Sequence, residues 1–286
     1  MSRQIAKIKN ILKKLYARYN HKKFIPPDPL QFVYRYNNPA DMEIIAFLSS
    51  ALAYGRVQQI EKSLTKLFNY IGDSPHKFVL GFRARRHKQL LGFKHRFTTG
   101  EDISDLLTLL KKILTEYGSI EKFFLLGYRQ TDQNIIPALS DFSNSLTSMY
   151  AAKHDGYVSS GIKYLLADPA RTSACKRLNL FLRWMVRNDD VDSGLWTSID
   201  KSKLIIPMDV HMGRLCKILG FYNRKNVSLK SALDVTKNFA EIDRNDPVKY
   251  DFALSRIGIV ENCTGQFRKL CTNCQLYEFC FERKGK

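Results

Sequence analysis

No stretch of this chain approaches the roughly 18 consecutive apolar residues of a membrane-spanning helix. Nor does its first stretch read as a secretory leader. Ile5, Ile8, Leu12, Leu15, Tyr16 and Tyr19 recur at helical spacing between lysines and arginines, so residues 1–24 predict a basic amphipathic helix packed on the domain. Both absences predict a cytoplasmic, nucleoid-associated protein with no membrane partner. Internal repeats, low-complexity tracts and paired alternating strand patterns are missing too, which leaves no basis for a solenoid or a sheet core. Acidic residues are scarce: 27 Asp and Glu stand against 46 Lys and Arg, a formal net charge of +19. The excess runs through the whole chain and predicts a polyanionic partner, nucleic acid above all. The plainer alternative is a lysine-rich surface.

What is present is helical. The 286 residues, 44% of them hydrophobic, suffice for one large domain or two packed lobes. Periodicity predicts roughly eight to ten short helices, an all-α protein. Ile25–Pro29 (IPPDP) breaks the first helix from the next. Asp41 is placed to cap a helix running to Gly55, with Ile44, Ile45, Leu48, Ala51 and Leu52 as its buried stripe. A helix over Val57–Ile71 follows. Arg83–Arg96 is strongly basic and ends in Phe93-Lys94-His95-Arg96-Phe97. Cations between aromatics suit a strand of nucleic acid, phosphates meeting the cations and bases the rings. A solvated helix face with two core phenylalanines accounts for the same pattern.

Two later helices carry the residues that suggest chemistry. The first begins near Thr172 or Ser173, either a good N-cap, and buries Leu178, Phe181, Leu182 and Met185. Lys176, Arg183 and Arg187 share another face. Lys176 falls in the first turn, where the helix dipole and neighbouring cations favour a neutral amine, the form a nucleophile requires. An ordinary basic stripe is the alternative. The second helix begins at Asp209 and stops at Gly220. Asp209 reads as an N-cap, and a carboxylate so held can also stabilise a developing positive charge. Between the two helices, Asp189, Asp190 and Asp192 form an acidic turn that lacks the rest of a calcium-loop pattern.

Six cysteines occur. Cys175 and Cys216 suit small core positions, while Cys263, Cys271, Cys274 and Cys280 follow C-x7-C-x2-C-x5-C. In a chain with no export signal such a cluster favours a metal over disulfides. Four thiolates satisfy either a 4Fe–4S cluster or tetrahedral zinc.

From Pro207 to Cys280 the chain resembles the helix-hairpin-helix DNA glycosylases, the endonuclease III superfamily. The residues concerned are the helix start PMDVHMGRL, the four-cysteine loop and the earlier segment EIIAFLSSALAYGR over Glu43–Arg56. The departures are an extra residue in the first cysteine gap and the missing LPG-x-G hairpin, replaced by Asp189–Lys203. A helix-start lysine well ahead of the aspartate is similar to the archaeal 8-oxoguanine glycosylases. FLRWMVR and GLW also resemble segments of an uncharacterised bacterial family. The resemblance implies a two-lobed, all-helical glycosylase-like domain over 1–262, and an iron–sulfur loop and tail over 263–286. It implies a monomeric DNA-repair glycosylase, with or without AP-lyase activity, acting on double-stranded DNA with a damaged base. Lys176 becomes the nucleophile, Asp209 the catalytic carboxylate, and the four cysteines ligands of a 4Fe–4S cluster, with zinc the alternative. Lys94, Arg96, Arg183, Arg187, Arg268, Lys269, Arg283 and Lys284 become phosphate contacts, and Phe93, Phe97, Trp184 and Trp196 stacking partners for an extruded base. Two alternatives remain open: a non-catalytic nucleic-acid-binding protein of the same fold, and a monofunctional glycosylase using Asp209 alone.

Overall fold

Beyond its first turn, the helix at the centre of the molecule has no solvent face. α2 (Pro39–Ala51) buries every residue from Glu43 to Ala51, in keeping with its nearly continuous apolar sequence. We describe it from a computed structural model that covers residues 3–171 and 173–281. Thr172 as a cap, and Arg283 and Lys284 as phosphate contacts, lie outside the described residues.

Thirteen α-helices and one two-stranded hairpin are formed among the described residues. α1 (Arg3–Tyr19) precedes α2, followed by α3 (Val57–Ile71) and α4 (Pro75–Gly81). Short 3-10 turns lead to β1 (Lys94–His95) and β2 (Thr98–Thr99), antiparallel partners that pair Lys94 with Thr99 and His95 with Thr98. Next come α5 (Gly100–Tyr117), α6 (Ile120–Phe124), α7 (Ile136–Ala151), α8 (Ser160–Leu165) and α9 (Lys176–Val186). The chain ends on α10 (Val210–Ile218), α11 (Leu229–Ile242), α12 (Asp251–Ile259) and α13 (Tyr277–Phe281). The fold is mostly helical, and no helix among the described residues is long and apolar enough to cross a membrane.

α2 packs on α9 and on the 3-10 segment 29–35; α12 packs on α1 and α10. α9 is buried from Leu178 to Val186, so it is a second core helix instead of an amphipathic surface one. Glu43 ties the core together. Its carboxylate accepts hydrogen bonds from Ile120 N (3.0 Å), Glu121 N (2.9 Å) and Trp196 Nε1 (2.8 Å), serving the free N–H groups at the start of α6.

Several boundaries differ from the expected ones. α2 is capped by Asn38, whose side chain accepts from Ala40 N, and ends at Ala51, short of Gly55. Asp41 lies inside its first turn and accepts from His76 N at 2.7 Å, so it serves α4 instead. The basic stretch 94–99 is a β-hairpin. Its turn places Arg96 at φ 53, a left-handed conformation that only a tight turn requires. α9 starts at Lys176, later than Thr172 or Ser173, and the residue before it, Cys175, sits at φ 42 with no side-chain cap.

Candidate active site

α9 and α10 point their N-terminal ends at one cavity of about 710 Å³, which Lys176 and Asp209 both line. Asp209 divides its carboxylate between two tasks. Oδ1 accepts from Met212 N at 2.8 Å, the N-cap bond of α10; Oδ2 lies 3.9 Å from Lys176 Nζ. Capping and charge pairing therefore coexist. Lys176 Nζ also donates to Ala53 O at 3.3 Å, and Arg177 Nη1 donates to Ala51 O at 2.9 Å, so the start of α9 supplies donors to carbonyls at the end of α2. Both side chains of the Lys176–Asp209 pair are partly open to solvent, 33% and 22% exposed, so a ligand in the cavity can reach them. Cys175, in its left-handed conformation, sets the direction of α9; burial pushes its thiol up to about 11, an inert packing group.

The inner wall carries polar groups that no sequence window linked to Lys176. Arg183 and Asp251 are buried against each other, and Arg183 Nε donates to Asp192 Oδ1 at 3.2 Å. Burial raises the Asp251 carboxyl to about 6 even though Arg183 pulls the other way. Burial alone would lower Arg183, but Asp192 and Asp251 hold it above its ordinary value, so the guanidinium stays charged. Arg183 Nη2, Arg256 Nε and His211 Nδ1 are buried beside the cavity with no hydrogen-bond partner among the described residues. Buried polar atoms in that state fit a wall that a polar ligand or water completes.

Of the predicted phosphate contacts, Arg183 and Arg187 are corrected. Their side chains are 3% exposed and face carboxylates, not solvent. Arg187 binds Asp189 at 2.9 Å, Asp246 at 3.0 Å, and Asp192. This also fills the acidic turn, whose remaining carboxylate, Asp190, meets His21 at 3.2 Å. Lys94, Arg96, Arg268 and Lys269 are exposed. An open groove elsewhere gathers Arg83, Arg85, Arg86, Lys111, Lys112 and Lys153 around a single carboxylate, Glu116.

Three predicted stacking residues are corrected as well. Trp184 and Phe93 are core residues, 0% and 4% exposed. Trp196, at 2%, has its N–H on Glu43 and its ring against Phe181 and Phe124. Phe97 is 64% exposed at the tip of the hairpin. Tyr54, Tyr164, Arg177, His211 and Asp251 join the cavity without having been singled out from sequence.

Cys263, Cys271, Cys274 and Cys280 line one small apolar-walled cavity of about 20 Å³ with Leu215, Ile218 and Ile257. Backbone N–H groups point at two sulfurs: Arg268 N to Cys271 Sγ at 3.3 Å and Leu276 N to Cys274 Sγ at 3.4 Å. The donor chemistry suits a thiolate-held group. The spacing is not that of a formed site, since no group of three or more His, Cys, Asp or Glu among the described residues is arranged to hold a metal ion. The loop is fastened to helices that line the Lys176 cavity: Arg214 on α10 donates to Cys263 O, and Cys263 N donates to Ile257 O of α12 at 3.1 Å.

Residues 28–260 match the family described as "Protein of unknown function (DUF2400)", and the chain belongs to that family. Comparisons with curated proteins and with solved structures find no match. This corrects the resemblance to the helix-hairpin-helix glycosylases: the family shown over most of the chain is a different, uncharacterised one. The structure gives a physical reason at the expected hairpin. Residues 188–196 fold back on α9, with Ser193 N on Trp184 O (2.9 Å) and Trp196 N on Met185 O (2.8 Å), and two of their three carboxylates, Asp189 and Asp192, turn inward to Arg183 and Arg187. The segment presents acids to arginines, the opposite of a phosphate-binding turn. The matched span ends before Cys263, so the cysteine loop lies outside it.

Proposed function

We propose that this member of the family processes a nucleic-acid strand as an amine-dependent N-glycosylase with strand-nicking lyase activity, acting on a damaged base in DNA. The observation that supports this reading is the Lys176–Asp209 pair, 3.9 Å apart on the wall of a cavity of about 710 Å³. A cavity of that size takes an extruded nucleotide, and a base inside a duplex is reached only by extrusion. The net charge of +19 and the exposed Lys94, Arg96, Arg268 and Lys269 suit a phosphodiester partner.

The Lys176 amine, its ammonium proton first lost to solvent, attacks the anomeric carbon as the N-glycosidic bond breaks. The bonding pair leaves with the base, which takes up a proton. Asp209 stabilises the positive charge on the sugar and accepts a hydrogen bond from the attacking amine. Opening of the sugar ring gives a Schiff base on Nζ, from which β-elimination of the 3′ phosphate cuts the strand. Borohydride reduces such an adduct to a stable cross-link. Trapping on duplexes carrying 8-oxoguanine, an oxidised pyrimidine, uracil or an abasic site is expected to yield a covalent complex, absent in Lys176→Ala. Base release without an adduct would leave a water-dependent glycosylase. No base loss and no adduct on any of these substrates would overturn the proposal.

We also propose that Cys263, Cys271, Cys274 and Cys280 hold a 4Fe–4S cluster, the loop opening from its small cavity to admit it. The shared cavity and the two N–H groups directed at sulfur support this. Such a cluster would supply a covalent clamp within the loop, tying Cys263, just after α12, to Cys280 on α13, and the proposed reaction does not pass through it. Protein purified without oxygen is expected to show broad absorbance near ~400 nm that is lost in Cys274→Ser. A colourless, zinc-containing protein would assign the loop to zinc instead.

A further inference from the structure

Three aromatic rings meet at the rim of the Lys176 cavity, and the reaction above uses none of them. Tyr54 and Tyr164 line the cavity, and Phe97 packs against both from the hairpin tip. Tyr54 and Phe97 are parallel, their planes 1° apart and their centroids 6.5 Å apart. Tyr164 stands at 73° to each, 4.9 Å from Tyr54 and 5.8 Å from Phe97. The three make a corner, with Phe97 as its outer wall.

The corner is built rigidly. The Tyr54 hydroxyl donates to His95 O at 2.8 Å and lies 2.7 Å from Thr98 Oγ1, so both hairpin strands are fastened to it. His95 is fully buried; its Nε2 meets Tyr54 O at 3.0 Å and its Nδ1 meets Ser63 Oγ at 2.9 Å. Phe97 stands 64% exposed on this braced turn, so much of its surface is open to a ligand. Pre-organisation of this kind lowers the ordering cost of a ligand.

We propose that Tyr54, Phe97 and Tyr164 form a stacking corner for one unpaired nucleobase, the neighbour of the nucleotide that reaches Lys176. The charges around it select this occupant. The Arg96 guanidinium lies 5.2 Å from the Phe97 ring, and that of Arg177 lies 4.2 Å from Tyr164 and 5.2 Å from Tyr54. Lys163 lines the same cavity. A quaternary ammonium ligand would be repelled here. A flat, neutral ring on an anionic backbone satisfies rings and cations together. The base beside an extruded nucleotide still stacks on its other neighbour and stays paired, so entry into a corner walled on two sides requires it to be unpaired too: the substrate is single-stranded, or locally unpaired, next to the reacting nucleotide. This inference rests on the reading of the cavity as a nucleotide site.

The test is a single-stranded oligonucleotide carrying 2-aminopurine, whose fluorescence falls on stacking, titrated beside the same sequence fully paired. On the wild-type protein and on Lys176→Ala, quenching is expected with the single strand. Phe97→Ala is expected to lose the quenching and to bind roughly fivefold to a hundredfold more weakly. Tyr164→Leu is expected to weaken binding in the same direction, and Phe97→Trp to restore it. Unchanged affinity and quenching in Phe97→Ala would overturn the inference, as would equal binding of the fully paired duplex. The two proposals fail separately. Quenching without a borohydride adduct leaves the corner and removes the lyase; an adduct unaffected by Phe97→Ala does the reverse.

Discussion

Arg187→Met is expected to lower the free energy of unfolding by about 3–5 kcal/mol. The residue looks dispensable from sequence: a basic side chain at the end of a helix in a chain with 46 Lys and Arg. In the fold its guanidinium is 3% exposed and serves Asp189, Asp192 and Asp246. Burial raises Asp192, while Arg187 holds Asp189 below its ordinary value. Removing the guanidinium leaves three carboxylates in a low-dielectric setting, of which Asp192 still has Arg183, and the uncompensated charge carries most of the cost. Urea denaturation measures it. The double variant Arg187→Met/Asp246→Asn should recover part of the loss, because it removes one stranded charge with its partner. An unchanged denaturation midpoint would mean that the guanidinium is in solvent and would return Arg187 to the phosphate-contact role.

Why Arg183 and Arg187 were misplaced while Lys176 and Asp209 came together has one physical explanation. The helical period of α9 does put Lys176, Arg183 and Arg187 on a common face. What covers that face is set by the rest of the chain. Asp251 and Asp246 pair with the two arginines from 68 and 59 residues away, and no window around α9 contains them. Lys176, in the first turn, lies beyond this cover and opens on the cavity. Local rules were enough for Asp209, because an N-cap and a helix start are written in neighbouring residues. They were also enough for the helical class, which follows from periodicity. They did not suffice for Trp196, whose partner Glu43 is 153 residues upstream, nor for Tyr54 and Tyr164, which become a pair only in three dimensions. The basic stretch before Phe97 had two accounts from sequence, and the hairpin divides them: Phe93 and His95 go to the core, Arg96 and Phe97 to the surface.

Asp209→Asn is expected to slow adduct formation about 10²- to 10³-fold while leaving stability close to that of the parent. The geometry permits this separation because the two oxygens do different things. Oδ1 accepts from Met212 N, and an asparagine carbonyl accepts the same bond, so the start of α10 stays capped. Oδ2 faces Lys176 Nζ at 3.9 Å, and an amide there neither carries charge nor stabilises a cationic sugar. The ion pair is partly exposed and contributes little to folding, so its loss should not move the denaturation midpoint much. Asp209→Ala loses the cap as well and is expected to cost about 0.5–2 kcal/mol. Single-turnover trapping rates and urea midpoints, measured on the same three proteins, read the two effects independently. If Asn matches the parent in rate and only Ala differs, Asp209 is a cap alone, and the chemistry assigned to the Lys176 cavity loses its carboxylate.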